Sequence, residues 1–240
     1  MDKKIIFVIG SGRSGTHLIG RIIGSHQDVD PYIEDERTFT LSTKIATQQV
    51  ERGKIKKLIK NYKNLFNKSK SPAILEKSHP NIWFVEELLA AFPEAKFVGI
   101  YRDVYSTVSS MLQHEGVSNW FNLLPLNVSN PFLGISNKNK EVYASLSIEQ
   151  KSALRWESHK VRLLDLAKKL PSNVMVMNYN DLLLNQDEHL EKLSKFLGLT
   201  NQFKPESFNL ESLNKWKSYL NKDQISRIDE VITRLNGKDY

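Results

Sequence analysis

The segment Gly10-Ser11-Gly12-Arg13-Ser14-Gly15-Thr16-His17 is the stretch whose residue types and spacing point most directly to chemistry. It follows the apolar run Ile5-Ile6-Phe7-Val8-Ile9 and precedes Leu18, Ile19, Ile22 and Ile23, which recur at helical spacing. Glycines let the backbone curl tightly, so that successive N–H groups can turn inward toward an anion. The start of the following helix adds its partial positive charge. Gly10 and Gly15 have the G-x-x-x-x-G spacing of a nucleoside triphosphate loop, but Thr16 stands where such a loop carries lysine. His17 then replaces the hydroxyl residue that would hold magnesium. The cation of this loop is Arg13, inside it. The segment therefore reads as a site for a diphosphate-like group without a metal, and magnesium-dependent triphosphate hydrolysis is disfavoured.

Further chemistry-bearing stretches follow in order. Phe92-Pro93-Glu94-Ala95-Lys96-Phe97-Val98-Gly99-Ile100-Tyr101-Arg102-Asp103 ends a strand in an arginine, and Ser106 and Ser110 lie one turn apart on the helix that Asp103 would cap. An arginine at the carboxyl end of a strand sits where open α/β sheets bind ligands, and its fork suits phosphate. Glu76-Lys77-Ser78-His79-Pro80 follows a short apolar strand, and Glu34-Asp35-Glu36-Arg37 follows the first helix. Val176-Met177-Asn178-Tyr179-Asn180-Asp181-Leu182, Phe196-Leu197-Gly198-Leu199 and Leu213-Asn214-Lys215-Trp216 come later.

In these stretches the chain resembles the sulfotransferases that use 3′-phosphoadenosine 5′-phosphosulfate (PAPS), with motifs nearest to the tyrosylprotein branch. The resemblance implies that Arg13, Ser14, Gly15, Thr16 and His17 hold the 5′-phosphosulfate and that Arg102 and Ser110 hold the 3′-phosphate. It implies adenine or ribose contact for Tyr179 and a cofactor contact for Lys215, which matches the C-terminal Lys-Trp segment of the tyrosylprotein branch. Sulfuryl transfer needs cations at the leaving oxygen and a base for the acceptor. The resemblance gives Lys77 and Arg13 the first role. For the base it leaves open Glu34, with Glu36 as reserve, as in the tyrosylprotein branch, or His79 in a Lys-x-His pattern, as in the cytosolic branch. One departure is His114, four residues past Ser110, where the tyrosylprotein branch has another arginine. The implied reaction is in-line transfer from PAPS to a hydroxyl or amine acceptor, with no metal. Two other readings remain beside it: a P-loop nucleotide or sugar kinase, and a non-catalytic polyanion-binding module.

These groups need elements to position them. Apolar runs at 4–10, 73–75, 96–101 and 174–177 predict strands, and helical spacing predicts helices at 16–25, 81–91, 104–113, 148–170 and 188–197. Strands alternating with helices predict an α/β fold, a central parallel sheet flanked by helices. The resemblance implies the nucleotide-kinase-like form of that fold. One domain over 1–240 is expected, with residues 118–145 as an irregular insertion on the substrate side.

Composition adds limits. Forty per cent hydrophobic and 25% charged residues among 240 exclude a disordered chain. No apolar run approaches the roughly 20 residues of a membrane span. Cysteine is absent, which removes disulfides, thiolate zinc sites and cysteine nucleophiles and makes the cytoplasm the expected compartment. The formal net charge of +7 draws on Lys54, Lys56, Lys57, Lys60, Lys63, Lys68 and Lys70, spaced as a solvated helical face. No membrane or nucleic-acid partner is expected.

Overall fold

A computed structural model of the chain describes residues 3–200, 203–204 and 210–236. Its elements run β1 (Lys4–Gly10), α1 (Thr16–Gly24), β2 (Val29–Ile33), α2 (Glu36–Ala46), α3 (Ile55–Lys68), β3 (Ala73–Lys77), α4 (Val85–Ala91) and β4 (Lys96–Tyr101). They continue with α5 (Val104–Leu112), α6 (Glu115–Leu123), α7 (Lys140–Tyr143), α8 (Ile148–Lys169), β5 (Val174–Asn178), α9 (Tyr179–Leu184), α10 (Gln186–Leu197) and α11 (Lys222–Asn236). Single 3-10 turns include His79–Phe84 and Lys215–Ser218.

The five strands form one parallel sheet in the order β2-β3-β1-β4-β5. This is the α/β architecture expected. β1 is central, which explains its unbroken apolar run: Ile6, Phe7, Val8 and Ile9 are buried by the layers on both faces. From β1 the chain goes first to β2 and β3 on one side and later to β4 and β5 on the other. The loop after β1 therefore sits where the strand order reverses, at the carboxyl edge where such sheets bind ligands.

Two units of contact divide the chain, Met1–Tyr101 with Arg162–Ser207, and Arg102–Val161 with Phe208–Tyr240. The first holds the whole sheet with α1–α4, α9 and α10. The second holds α5–α7 and α11, and residues 148–161 of α8. Its core contains a fully buried Arg155 with its guanidinium over the rings of Phe132 (4.7 Å) and Trp120 (5.0 Å). Burial pushes that guanidinium down to about 10.

Several elements differ from the sequence expectation. β2 was not anticipated, because Val29-Asp30-Pro31-Tyr32-Ile33 mixes polar residues and a proline. It is an edge strand paired only with β3, where a residue without an N–H is tolerated. Residues 79–84 form a 3-10 turn before α4 rather than the first half of one helix. The stretch 118–145 is less irregular than expected: α6 reaches Leu123, α7 covers Lys140–Tyr143, and Asn130 and Ile135 form an antiparallel bridge between them. Helices this short give too few repeats for the period to show in sequence. Among the described residues, no helix is long and apolar enough to cross a membrane.

Candidate active site

The loop between β1 and α1 has the geometry of an anion cradle. Gly10 has φ 147°, and a Cβ there would lie 2.7 Å from the Ile100 carbonyl. Gly15 caps α1 at φ 98°, and a Cβ on it would run into the Tyr179 ring. Both positions thus require glycine. Arg13 itself holds φ 74°. Ser14 is fully buried, and its Oγ has no hydrogen-bond partner. Tyr179 is the first residue of α9, directly after β5, and not a strand residue.

On the other side of β1 the parallel register sets Lys77 level with Val8 and Ile33. One residue past Ile33, the Glu34 N–H donates to the Lys77 carbonyl at 2.9 Å, so Glu34 and Lys77 leave the sheet together. Glu34 pays for this position with φ 53°, in the left-handed region. Of the three described non-glycine residues with positive φ, two are Arg13 and Glu34. Such strain concentrates at functional sites.

Four side chains meet there. The Lys77 ammonium donates to Glu34 Oε1 and lies 3.0 Å from His17 Nδ1. His17 Nε2 is 3.5 Å from Glu34 Oε2, and His79 Nδ1 is 3.7 Å from Glu34 Oε1. The Lys77 side chain is 1% exposed, that of Glu34 25% and that of His17 51%. His79 is buried, tilted 5.6 Å from the Phe39 ring, and close enough to Gly12 that a Cβ there would lie 3.3 Å from Nε2. Burial alone would raise the Glu34 carboxyl. Hydrogen bonds from His17, His79 and Lys77, with the Lys77 charge, outweigh it and hold the group well below the ordinary carboxylate range. Burial pushes the Lys77 ammonium down, against the opposing pull of Glu34 and Glu76.

Of the three base candidates, the fold brings Glu34 and His79 to Lys77. Glu36 is exposed on the first turn of α2, where it lines a cavity of about 560 Å³ with Arg37, Lys44 and Lys57. Asp35, between them, caps α2 by accepting from the Thr38 N–H at 3.2 Å.

The second unit carries Arg102, Ser110 and Lys215, the other residues singled out in the sequence. Arg102 follows β4 directly; its carbonyl accepts from Trp156 Nε1 at 2.8 Å, and its Nε is 3.8 Å from Asp103 Oδ2. Asp103 caps α5 as expected, accepting from the Ser106 N–H at 2.8 Å, and Ser110 lies on the same helix. Lys215 is exposed, and its neighbour Trp216 stacks on Tyr105 of α5 with centroids 4.8 Å apart. Sequence reasoning did not single out the buried groups behind Lys77, namely Glu76, Ser78, Asn81 and Tyr62. A glutamate directly after the apolar run Ala73-Ile74-Leu75 was the one available signal.

A phosphate loop at the reversal point of a parallel sheet, beside a buried lysine and an ionised carboxylate, defines a group-transfer enzyme of the P-loop type. The family model described as "Sulfotransferase family" matches residues 43–203, more than half of the chain, and the chain belongs to that family. It is accordingly a sulfotransferase, an enzyme that transfers sulfuryl groups. The match includes Lys77, Arg102, Ser110 and Tyr179, while the phosphate loop and Glu34 precede it. No curated protein matches. Among solved structures the fold is similar to the sulfotransferase domain from the curacin biosynthetic pathway, with a TM-score of 0.62, 14% identity and 98% of each chain covered. It is also similar to the sulfotransferase domain of the Synechococcus PCC 7002 olefin synthase (0.60, 14%, 95% of each chain). A third is mouse sulfotransferase SULT7A1 complexed with PAP (0.53, 15%, 98% of this chain and 84% of that one).

Proposed function

We propose that this sulfotransferase takes its sulfuryl group from PAPS and passes it to a hydroxyl or amine acceptor, acting as one domain over residues 1–240. The residues present fit such a donor. The buried Ser14 Oγ lacks a protein partner, and the glycines shape a cradle that a Cβ would fill. Arg13, Ser14, Gly15, Thr16 and His17 would hold the 5′-phosphosulfate, Arg102 and Ser110 the 3′-phosphate, and Tyr179 the adenine or ribose, with Lys215 a further contact. When bound, PAPS supplies an activated sulfuryl group and a diphosphoadenosine leaving group.

The chain's own residues have three tasks. The loop orients the group, Lys77 and Arg13 meet the negative charge that builds on the leaving oxygen, and Glu34 accepts the acceptor's proton. His17 and His79 hold the Glu34 carboxylate in place. The observation that carries this reading is the contact of one buried lysine with both Glu34 and the loop residue His17. A chain without cysteine suits a cytoplasmic setting.

Calorimetric titration with 3′,5′-diphosphoadenosine, followed by a transfer assay with labelled PAPS across phenols, alcohols, sugars and amines, tests the reading. Saturable binding and transfer without added metal are expected. Absence of diphosphoadenosine binding overturns the donor assignment. Strong, salt-steep binding to heparin without nucleotide affinity would favour the polyanion-binding alternative.

A further inference from the structure

Glu76 and Lys77 are consecutive on β3, so their side chains leave the sheet on opposite faces. Lys77 faces α1, where a Cβ on Gly20 would lie 3.3 Å from its Cγ. Glu76 lies level with Phe7 and faces Tyr62 of α3. It is fully buried, as are Tyr62, Ser78 and Asn81. The Ser78 hydroxyl donates to Glu76 Oε1, and Asn81 Nδ2 donates to Oε2 at 2.7 Å. Asn81 Nδ2 also lies 2.8 Å from the Tyr62 hydroxyl.

A carboxyl in such a place is expensive: burial raises its pKa to about 8, against the lowering influence of Ser78, Lys77 and Tyr62, while Asp35 pushes it further up. An apolar residue of similar size would stabilise the same position more simply. What the carboxyl provides is geometry. Its two oxygens grip residues 78 and 81, and His79 lies between them. The strand that leads into this turn ends at Lys77, whose carbonyl accepts from the Glu34 N–H.

We propose that Glu76 is a positioning residue for the transfer, whose buried carboxyl ties Ser78 and Asn81 back onto β3 and so fixes the turn that brings Lys77 and His79 to Glu34. It touches neither donor nor acceptor, and it acts through Lys77 and His79. The proposal rests on the roles given above to Lys77 and Glu34.

The test compares Glu76→Ala, Glu76→Gln and Ser78→Ala with Lys77→Met, reading kcat at saturating PAPS, the diphosphoadenosine Kd and the melting temperature. A misplaced turn costs chemistry more than binding. Glu76→Ala and Ser78→Ala should therefore lower kcat about tenfold or more while Kd moves by less than about threefold. Glu76→Gln, which keeps the shape, leaves one oxygen to accept from Asn81 and turns its amide toward the Ser78 hydroxyl, which can accept as well as donate, should recover most of kcat. A residue serving stability alone would lower the melting temperature and leave kcat per folded molecule unchanged, and that result overturns the proposal. If Glu76→Ala does not fold, Ser78→Ala, which removes one hydroxyl, decides the matter by the same criterion. Retained turnover in Lys77→Met would instead remove the reading on which the proposal rests. Lost turnover there, with normal kcat in the Glu76 and Ser78 variants, would remove the proposal alone.

Discussion

Replacing Lys77 by methionine removes the ammonium and keeps the unbranched stem that packs beside Gly20. Two charges about 4 Å apart at an effective dielectric near 20 interact by about 4 kcal/mol, which bounds what Lys77 can contribute to charge on the leaving oxygen. Loss of one preorganised donor at a developing oxyanion costs about 10²–10³ in kcat, or about 2.7–4 kcal/mol, within the same bound. The cost to folding should be smaller. Breaking a fully buried ion pair costs about 3–5 kcal/mol, but Glu34 is 25% exposed and keeps His17 and His79 beside it. Lys77→Met should accordingly fold, melt several degrees lower, and turn over about 10²–10³-fold more slowly at saturating PAPS. Diphosphoadenosine, which undergoes no charge development, should bind with nearly unchanged affinity. The assay pairs initial rates with calorimetry on the same preparation. Turnover within about threefold of the unmodified enzyme would refute the role of Lys77 and leave Arg13 as the cation at the leaving oxygen.

Arg102→Ala should weaken diphosphoadenosine binding by about 1.5–3 kcal/mol, the loss typical of a charged hydrogen bond, and Ser110→Ala by less; unchanged affinity in calorimetry of the arginine variant would dismiss the 3′-phosphate assignment. Glu34→Gln should lower turnover about 10²–10⁴-fold with cofactor affinity nearly constant, and His79→Asn should do less; the reverse ranking would move the base to His79. The Glu76 carboxyl titrates in the folded state at about 8, above its ordinary 4.5. The folded state therefore keeps a proton that the unfolded chain has released, and this contribution to stability is fully present below about 4.5 and lost as pH rises to about 8. Glu76→Gln has no such loss, so its melting temperature should gain on the unmodified enzyme between about pH 5 and pH 8; a flat or shrinking difference would contradict a buried, protonated Glu76.

How much of this was legible in the sequence varied with the range of the interaction. β1 and β4 could be drawn to the residue and α1 to within one, because a central strand is apolar throughout and the loop glycines mark its end. β2 could not, since an edge strand with Pro31 lacks both alternation and a continuous apolar run. The phosphate loop was visible as local chemistry, and so was the Asp103 cap. The meeting of Glu34 with Lys77 spans 43 positions and depends on β2 lying beside β3, a strand the sequence did not reveal. Only the resemblance supplied Glu34, and it left Glu36 and His79 standing beside it. The Glu76 network shows in the sequence only as a glutamate after an apolar run: Tyr62 is 14 residues away on α3, and only the packing of that helix places it beside the strand.

A strongly acidic carboxyl is a poor base by itself, because proton-transfer efficiency falls as its pKa drops below the operating pH. The same contacts that depress Glu34 resolve the difficulty, since the charge–charge attraction among them comes from Lys77. On the proposed reading, Lys77 is drawn toward the loop as negative charge grows there, and Glu34 loses its ionic partner as the acceptor's proton becomes available. His17 and His79 keep the carboxylate in position meanwhile. Leaving-group stabilisation and proton acceptance are then coupled through one ammonium, and the two residues act as a unit. Removing either breaks the coupling, so the second removal should find little left to lose. Kinetic penalties for Lys77→Met and Glu34→Gln should therefore be far from additive, with the double variant close to the slower single one. Single-turnover rates for the four enzymes, measured at saturating PAPS, form the cycle. Penalties that add in full would show that Lys77 and Glu34 work independently, and Glu34 would then have to act as a base at its depressed pKa.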